Sequence, residues 1–155
     1  MLRHFSRRLG KRSCGLIELR TELDEWCQSY VTAFSAYDVD GIAAHWTFPA
    51  VILRGGRSVT FKSAEHFSKN TGMLLGFYKE HAVDRAIRRL VDCFAMTDDT
   101  VAMTVADEMV TATGEVIVSW QAAYVLQRVD GKWRAVLAQA DGELSAWAER
   151  GTPLG

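Results

Sequence analysis

The chain has 155 residues, 48% of them hydrophobic and 24% charged, with 2 Pro and 12 Gly; this suits one globular domain and excludes disordered, collagen-like and repeat classes. Its 3 cysteines (Cys14, Cys27 and Cys93) show no CxxC spacing, which argues against a disulfide framework and against a bound metal. Net charge is −1, yet Arg3, Arg7, Arg8, Lys11 and Arg12 stand in residues 1–17 without an acid, so the remainder is acidic and a poor partner for nucleic-acid phosphates.

Residues 1–17 read as a basic extension, either disordered, a transit peptide or a binding arm. No apolar run is long enough to span a bilayer. The expected location is the cytoplasm, or the mitochondrial matrix if the extension is a transit peptide. From Glu18 to Ser35, Leu19, Leu23, Trp26, Cys27, Tyr30, Val31 and Phe34 recur at steps of three and four, one face of an amphipathic helix. A short helix follows Asp38 or Asp40, and Pro49 is expected to end it. Ala50–Arg54 and Arg57–Phe61 flank Gly55-Gly56, a two-residue hairpin signal.

Ser63 opens a third helix, after which the pattern alternates. Strands are expected at Ala86–Met96, Thr100–Ala112, Glu115–Arg128 and Lys132–Ala140, parted by Thr97-Asp98-Asp99, Thr113-Gly114 and Asp130-Gly131. A last helix is expected over Glu143–Arg150. The class is α+β, with residues 18–142 as the domain and 143–155 as a short helix and tail. In Glu115–Arg128 neither strand face is clearly polar. The large-residue face, Trp120 and Tyr124 joined by Trp133, is expected to pack against a second copy in a homodimer, or else to be covered by the chain's own termini.

The segment from Tyr30 to Ile42 and the run from Ala123 to Arg134 resemble the first helical passage and the last hairpin of the nuclear-transport-factor-2-like superfamily. The likeness is to its SnoaL-like and ketosteroid-isomerase-like branch. This resemblance implies a cystatin-like roll: a cone-shaped, strongly curved mixed or antiparallel sheet wrapped around three helices, with an internal pocket for a small apolar metabolite. It also implies an inward row of Thr104, Ala106, Glu108, Val110, Ser119, Gln121, Ala123, Val136, Ala138 and Ala140. Tyr30, Trp46, Arg54 and Asn70 would complete the pocket.

Matched onto the isomerase pattern, Tyr30 falls on the family tyrosine, Arg54 on the general base and Ala123 on the second oxyanion donor. The epoxide-hydrolase acids of the superfamily fall on Ala106 and Ala138, and their arginine on Thr104. Neither machinery is present. Tyr30 and Glu108 are therefore the catalytic candidates, for cofactor-independent isomerisation, cyclisation or dehydration by proton transfer. Trp46, Arg54, Asn70, Ser119 and Gln121 are the ligand-binding candidates. Glu108 and Arg54 could equally orient a ligand or form a structural ion pair, and a non-catalytic binding or assembly module of the same fold is the alternative.

Overall fold

In the computed structural model, which describes the backbone of residues 2–154 and the side chains of residues 15–154, the long helix α1 (Leu2–Ser35) buries Leu23, Trp26, Cys27, Tyr30 and Val31 along one stripe. Of the basic extension, the side chains of residues 1–14 lie outside the described residues. Helix α2 (Val39–Ala43) starts on Asp38, whose carboxylate accepts from the Gly41 N–H. Strands β1 (Trp46–Arg54) and β2 (Arg57–Phe61) form a hairpin around Gly55 and Gly56, both at positive φ as this tight turn requires. Pro49 falls inside β1, not at a helix end. It has no N–H to give, and it sits where β1 skips its pairing with the neighbouring strand between Trp46 and Val51.

Helix α3 (Ala64–Glu80), capped by Ser63, precedes β3 (Arg85–Ala95), β4 (Thr100–Val110), β5 (Val116–Val129), β6 (Lys132–Gln139) and α4 (Asp141–Glu149). The strands make one six-stranded sheet in the order β2-β1-β6-β5-β4-β3. Only the β1–β6 contact is parallel, and it joins the hairpin to the antiparallel meander. The α+β class and the mixed sheet agree with expectation. The cone does not: the sheet is open and not strongly curled, with β2 and β3 at opposite edges and no pairing between them among the described residues.

The expected register is also reversed over most of the meander. On β4 the buried side chains are Val101, Met103, Val105, Asp107 and Met109, joined by Val110 where the register shifts, so that Val110 alone of the expected β4 row is buried, while Thr104 and Glu108 are exposed. On β5, Val118, Tyr124 and Leu126 are buried, while Ser119 and Gln121 are exposed. The reason is apolar area. The large side chains of α1 need a large-residue face to pack against, so the small and polar row is left to solvent. Ala138 keeps its inward position because a bulge between Leu137 and Ala135 shifts the phase of β6.

The residues expected to join two copies are turned inward as well. Tyr124 is 9% exposed and meets Trp26 edge-on at 5.9 Å between ring centroids. Trp133, also 9% exposed, donates its indole N–H to Glu22 of α1 at 2.6 Å. Trp120 lines an internal hollow. The chain's own first helix thus meets Tyr124 and Trp133, in line with the alternative that the chain's own terminal elements cover this face. No described helix is long and apolar enough to cross a membrane.

Candidate functional site

Between α1, α3, α4 and the sheet lies a hollow with two adjoining lobes. The outer lobe, about 340 Å³, is walled by Phe34, Trp46, Ile52, Phe67, Leu74 and Phe77. Met73, 77% exposed, marks its mouth. The inner lobe holds about 60 Å³ and is bounded by Arg88, Asp107, Met109, Trp120 and Tyr78. Tyr30, Tyr124, Ala138, Ala140 and Glu143 border both.

Glu143 is the acid at the junction. It belongs to the first turn of α4, where a carboxylate also suits the helix dipole. Several contacts hold α4 in place. The Asp141 carboxylate accepts from the Gly55 N–H at 2.6 Å, the Ala140 N–H donates to the Leu53 carbonyl at 2.9 Å, and fully buried Trp147 packs on Phe77 of α3 at 4.9 Å. Gly142 lies tight against the Gln121 carbonyl of β5. The Tyr78 hydroxyl donates to Glu143 Oε1 at 2.9 Å. Burial pushes the Glu143 carboxyl up to about 7; the Tyr78 hydrogen bond opposes the rise, Asp107 adds to it, and Arg54 and Arg88 oppose it. A carboxyl in that range exchanges its proton near neutral pH.

Deeper in, Arg88 and Asp107 face each other across β3 and β4 and form a bidentate ion pair, 2.7 Å on both arms, with side chains 5% and 3% exposed. Arg88 Nη2 also donates to the Tyr124 hydroxyl at 2.9 Å. The guanidinium lies over the rings of Tyr30 and Tyr124, at 5.1 and 4.7 Å. Arg88 Nη1 is buried and has no hydrogen-bond partner among the described residues. Tyr30 accepts from the Trp46 indole at 3.0 Å and stacks on Trp26. Burial holds the Tyr30, Tyr78 and Tyr124 phenols above their ordinary range, so all three stay protonated.

Of the residues singled out from the sequence, the hollow brings together Tyr30, Trp46, Arg54 and Asn70. It does not include Glu108, Ser119 or Gln121. These stand exposed on the outer side of the sheet, Glu108 directly opposite Ser119 in the β4–β5 register. Their exclusion follows from the reversed register. Among the described residues no group of three His, Cys, Asp or Glu side chains could hold a metal ion.

Comparison with known families matches residues 21–143 to the one described as NTF2-like protein (DUF6841). The chain belongs to this family. No curated protein matches it. Among solved structures it is similar to a ketosteroid isomerase-like protein from Erwinia carotovora atroseptica, with TM-score 0.58, 18% identity, and 77% of this chain and 92% of that one covered. It is also similar to an NTF-2 like protein from Shewanella oneidensis, at TM-score 0.61 and 6% identity over 77% of this chain and 95% of that one. A cystatin-like domain from Nostoc punctiforme aligns at TM-score 0.61 and 11% identity over 77% and 74% of the two chains. These likenesses show the NTF2-like, cystatin-like fold.

Three charged groups of this NTF2-like hollow were missed by sequence reasoning: Arg88, Asp107 and Glu143. The first two carried a signal. Arg88 interrupts the inward row Ala86, Leu90, and Asp107 interrupts Val105, Met109, so opposite charges meet on one face of a hairpin. Glu143 carried none, because its position depends on how α4 folds back over β5.

Proposed function

We propose that this NTF2-like chain binds a ring-bearing, largely apolar small molecule and moves a proton to or from it, with Glu143 as the acid–base group. One observation carries the reading: a carboxyl raised to about 7 stands where an aromatic-walled lobe meets a polar one. Such a group is matched to isomerisation, cyclisation or dehydration without a cofactor, the chemistry of the ketosteroid-isomerase-like and SnoaL-like branch. Glu143 takes the part that sequence reasoning gave to Glu108, while Tyr30 contributes a neutral hydroxyl and a ring wall. Trp46, Asn70 and Arg54 contact the ligand from the outer lobe.

A second reading, ligand binding without turnover, is favoured by the three phenols. All are held protonated, which leaves Glu143 without a second group that titrates near neutrality. Exchange of the α-hydrogens of 2-tetralone in heavy water, followed by mass spectrometry, tests both. The proton-transfer reading expects exchange that Glu143→Gln abolishes and Glu108→Gln leaves intact. Exchange retained in Glu143→Gln removes that residue from the mechanism. A raised melting temperature with no exchange selects the binding reading.

A further inference from the structure

Part of the outer lobe is walled by chain that belongs to neither the sheet nor a helix. After α4, Gly151 takes φ +87 and turns the chain back; its N–H donates to the Ala148 carbonyl at 2.9 Å, and the Thr152 N–H to the Trp147 carbonyl at 3.1 Å. Both bonds belong to the helix end. Pro153 has no N–H to give, and among the described residues no hydrogen bond holds Pro153 or Leu154. Leu154 nevertheless lines the outer lobe and packs against the core while staying partly exposed. It therefore stands on the rim, as Met73 of α3 does.

Two opposing contributions act on this segment. Covering the apolar surface of Leu154 holds it down. The Thr152 hydroxyl works against it: Oγ1 is buried and has no hydrogen-bond partner among the described residues. A hydroxyl in that position has given up water without a substitute, and it regains water when the segment lifts. Gly151, without a Cβ and with open space where one would stand, supplies the pivot. One apolar contact, few hydrogen bonds and an unmatched hydroxyl put residues 151–154 at the low-stability end of the fold.

We propose that residues 151–154 form a strap that lifts about Gly151 to admit a ligand to the outer lobe and then settles with Leu154 over it. This rests on the hollow being a ligand site but not on turnover. Entry and exit both wait on the same lifting, so a change in the strap speeds or slows the two together. A fixed wall residue, by contrast, alters how long the ligand stays and leaves its rate of entry alone.

Stopped-flow mixing of the full chain with 6-acetyl-2-dimethylaminonaphthalene, a neutral ring ketone whose emission changes in apolar surroundings, reads both rates. Leu154→Ala weakens the closure and is expected to raise association and dissociation alike, each by about fivefold. Thr152→Val keeps the side-chain shape, removes the unmatched hydroxyl, and is expected to lower both by about fivefold. In each variant Kd then changes less than either rate. Association at the wild-type rate in both variants, or a change in Leu154→Ala confined to dissociation, overturns the strap and leaves the ligand site standing. If the probe binds none of the three proteins, the strap and the ligand site both fall.

Discussion

Gly142 lies against the backbone carbonyl of Gln121 so closely that a Cβ at this position would collide with it. The obstacle is backbone, so it cannot swing away as a side chain would. This contact brings α4 down onto β5 and places Glu143, the next residue, at the junction of the two lobes. Gly142→Ala is expected to lift the start of α4, cost about 1–3 kcal/mol, and weaken binding of any ligand that uses Glu143. Urea denaturation and a thermal-shift titration with 2-tetralone measure the two effects. Wild-type stability together with wild-type binding would show that α4 tolerates the added methyl and that the close approach does not position the acid.

Much of this architecture is written in local pattern. The stripe Leu23, Trp26, Cys27, Tyr30 and Val31 is buried as its spacing predicts, and Gly55-Gly56 makes the turn its composition demands. Which face of the meander turns inward was not readable from β5. Its faces, Trp120/Tyr124 and Ser119/Gln121/Ala123, both lack a clear polar signature, and a one-residue choice of phase moves every side chain across the sheet. The polar residues of β4 and β5 hold the answer in hindsight. Thr104, Glu108, Ser119 and Gln121 lie on one side, and solvent takes them. Glu143 was beyond reach because its environment is made by Tyr78 of α3, Arg54 of β1, Arg88 of β3 and Asp107 of β4, none of them near it in sequence.

The Arg88–Asp107 pair crosses the face of the sheet that packs on α1, and its two members depend on each other. Asp107→Asn leaves the guanidinium with a neutral partner in a site where both side chains are at most 5% exposed. We expect a loss of about 3–5 kcal/mol, and the double change Arg88→Met/Asp107→Leu to recover most of it, because burying charge costs more than burying hydrocarbon. Equilibrium unfolding in urea compares the three proteins. A single variant within about 1 kcal/mol of wild type would mean the pair is more hydrated than its burial indicates.

Tyr78 sustains the acidity of Glu143 from the other side. Its hydroxyl donates to Oε1 at 2.9 Å and is the strongest influence opposing the rise caused by burial. Tyr78→Phe removes that donor and keeps the ring against Trp147. The carboxyl is expected to become still harder to ionise, with a stability cost of about 1 kcal/mol. Titration of the Glu143 side-chain carboxyl carbon by NMR reads the midpoint directly. A midpoint unchanged or lowered would show that another donor, not Tyr78, governs this group.

Because Glu143 is raised from 4.5 to about 7 by burial, it links folding to pH with a definite sign. Below 4.5 the carboxyl is protonated in both the folded and the unfolded chain, and it imposes no penalty. Between 4.5 and 7 the unfolded chain has released the proton while the folded chain still holds it. Each step up in pH therefore favours unfolding. Above 7 the folded chain ionises too, and the loss levels off at no more than about 3 kcal/mol; the side of the carboxyl that faces the hollow reduces it further. Glu143→Gln lacks this ionisation and shares every other titrating group. The stability of the wild type minus that of the variant should thus fall by about 2 kcal/mol from pH 5 to pH 8, measured by urea unfolding at each pH. A difference that stays constant across that window would show that the carboxyl ionises at its ordinary pH, and would remove the basis for giving it the proton-transfer role.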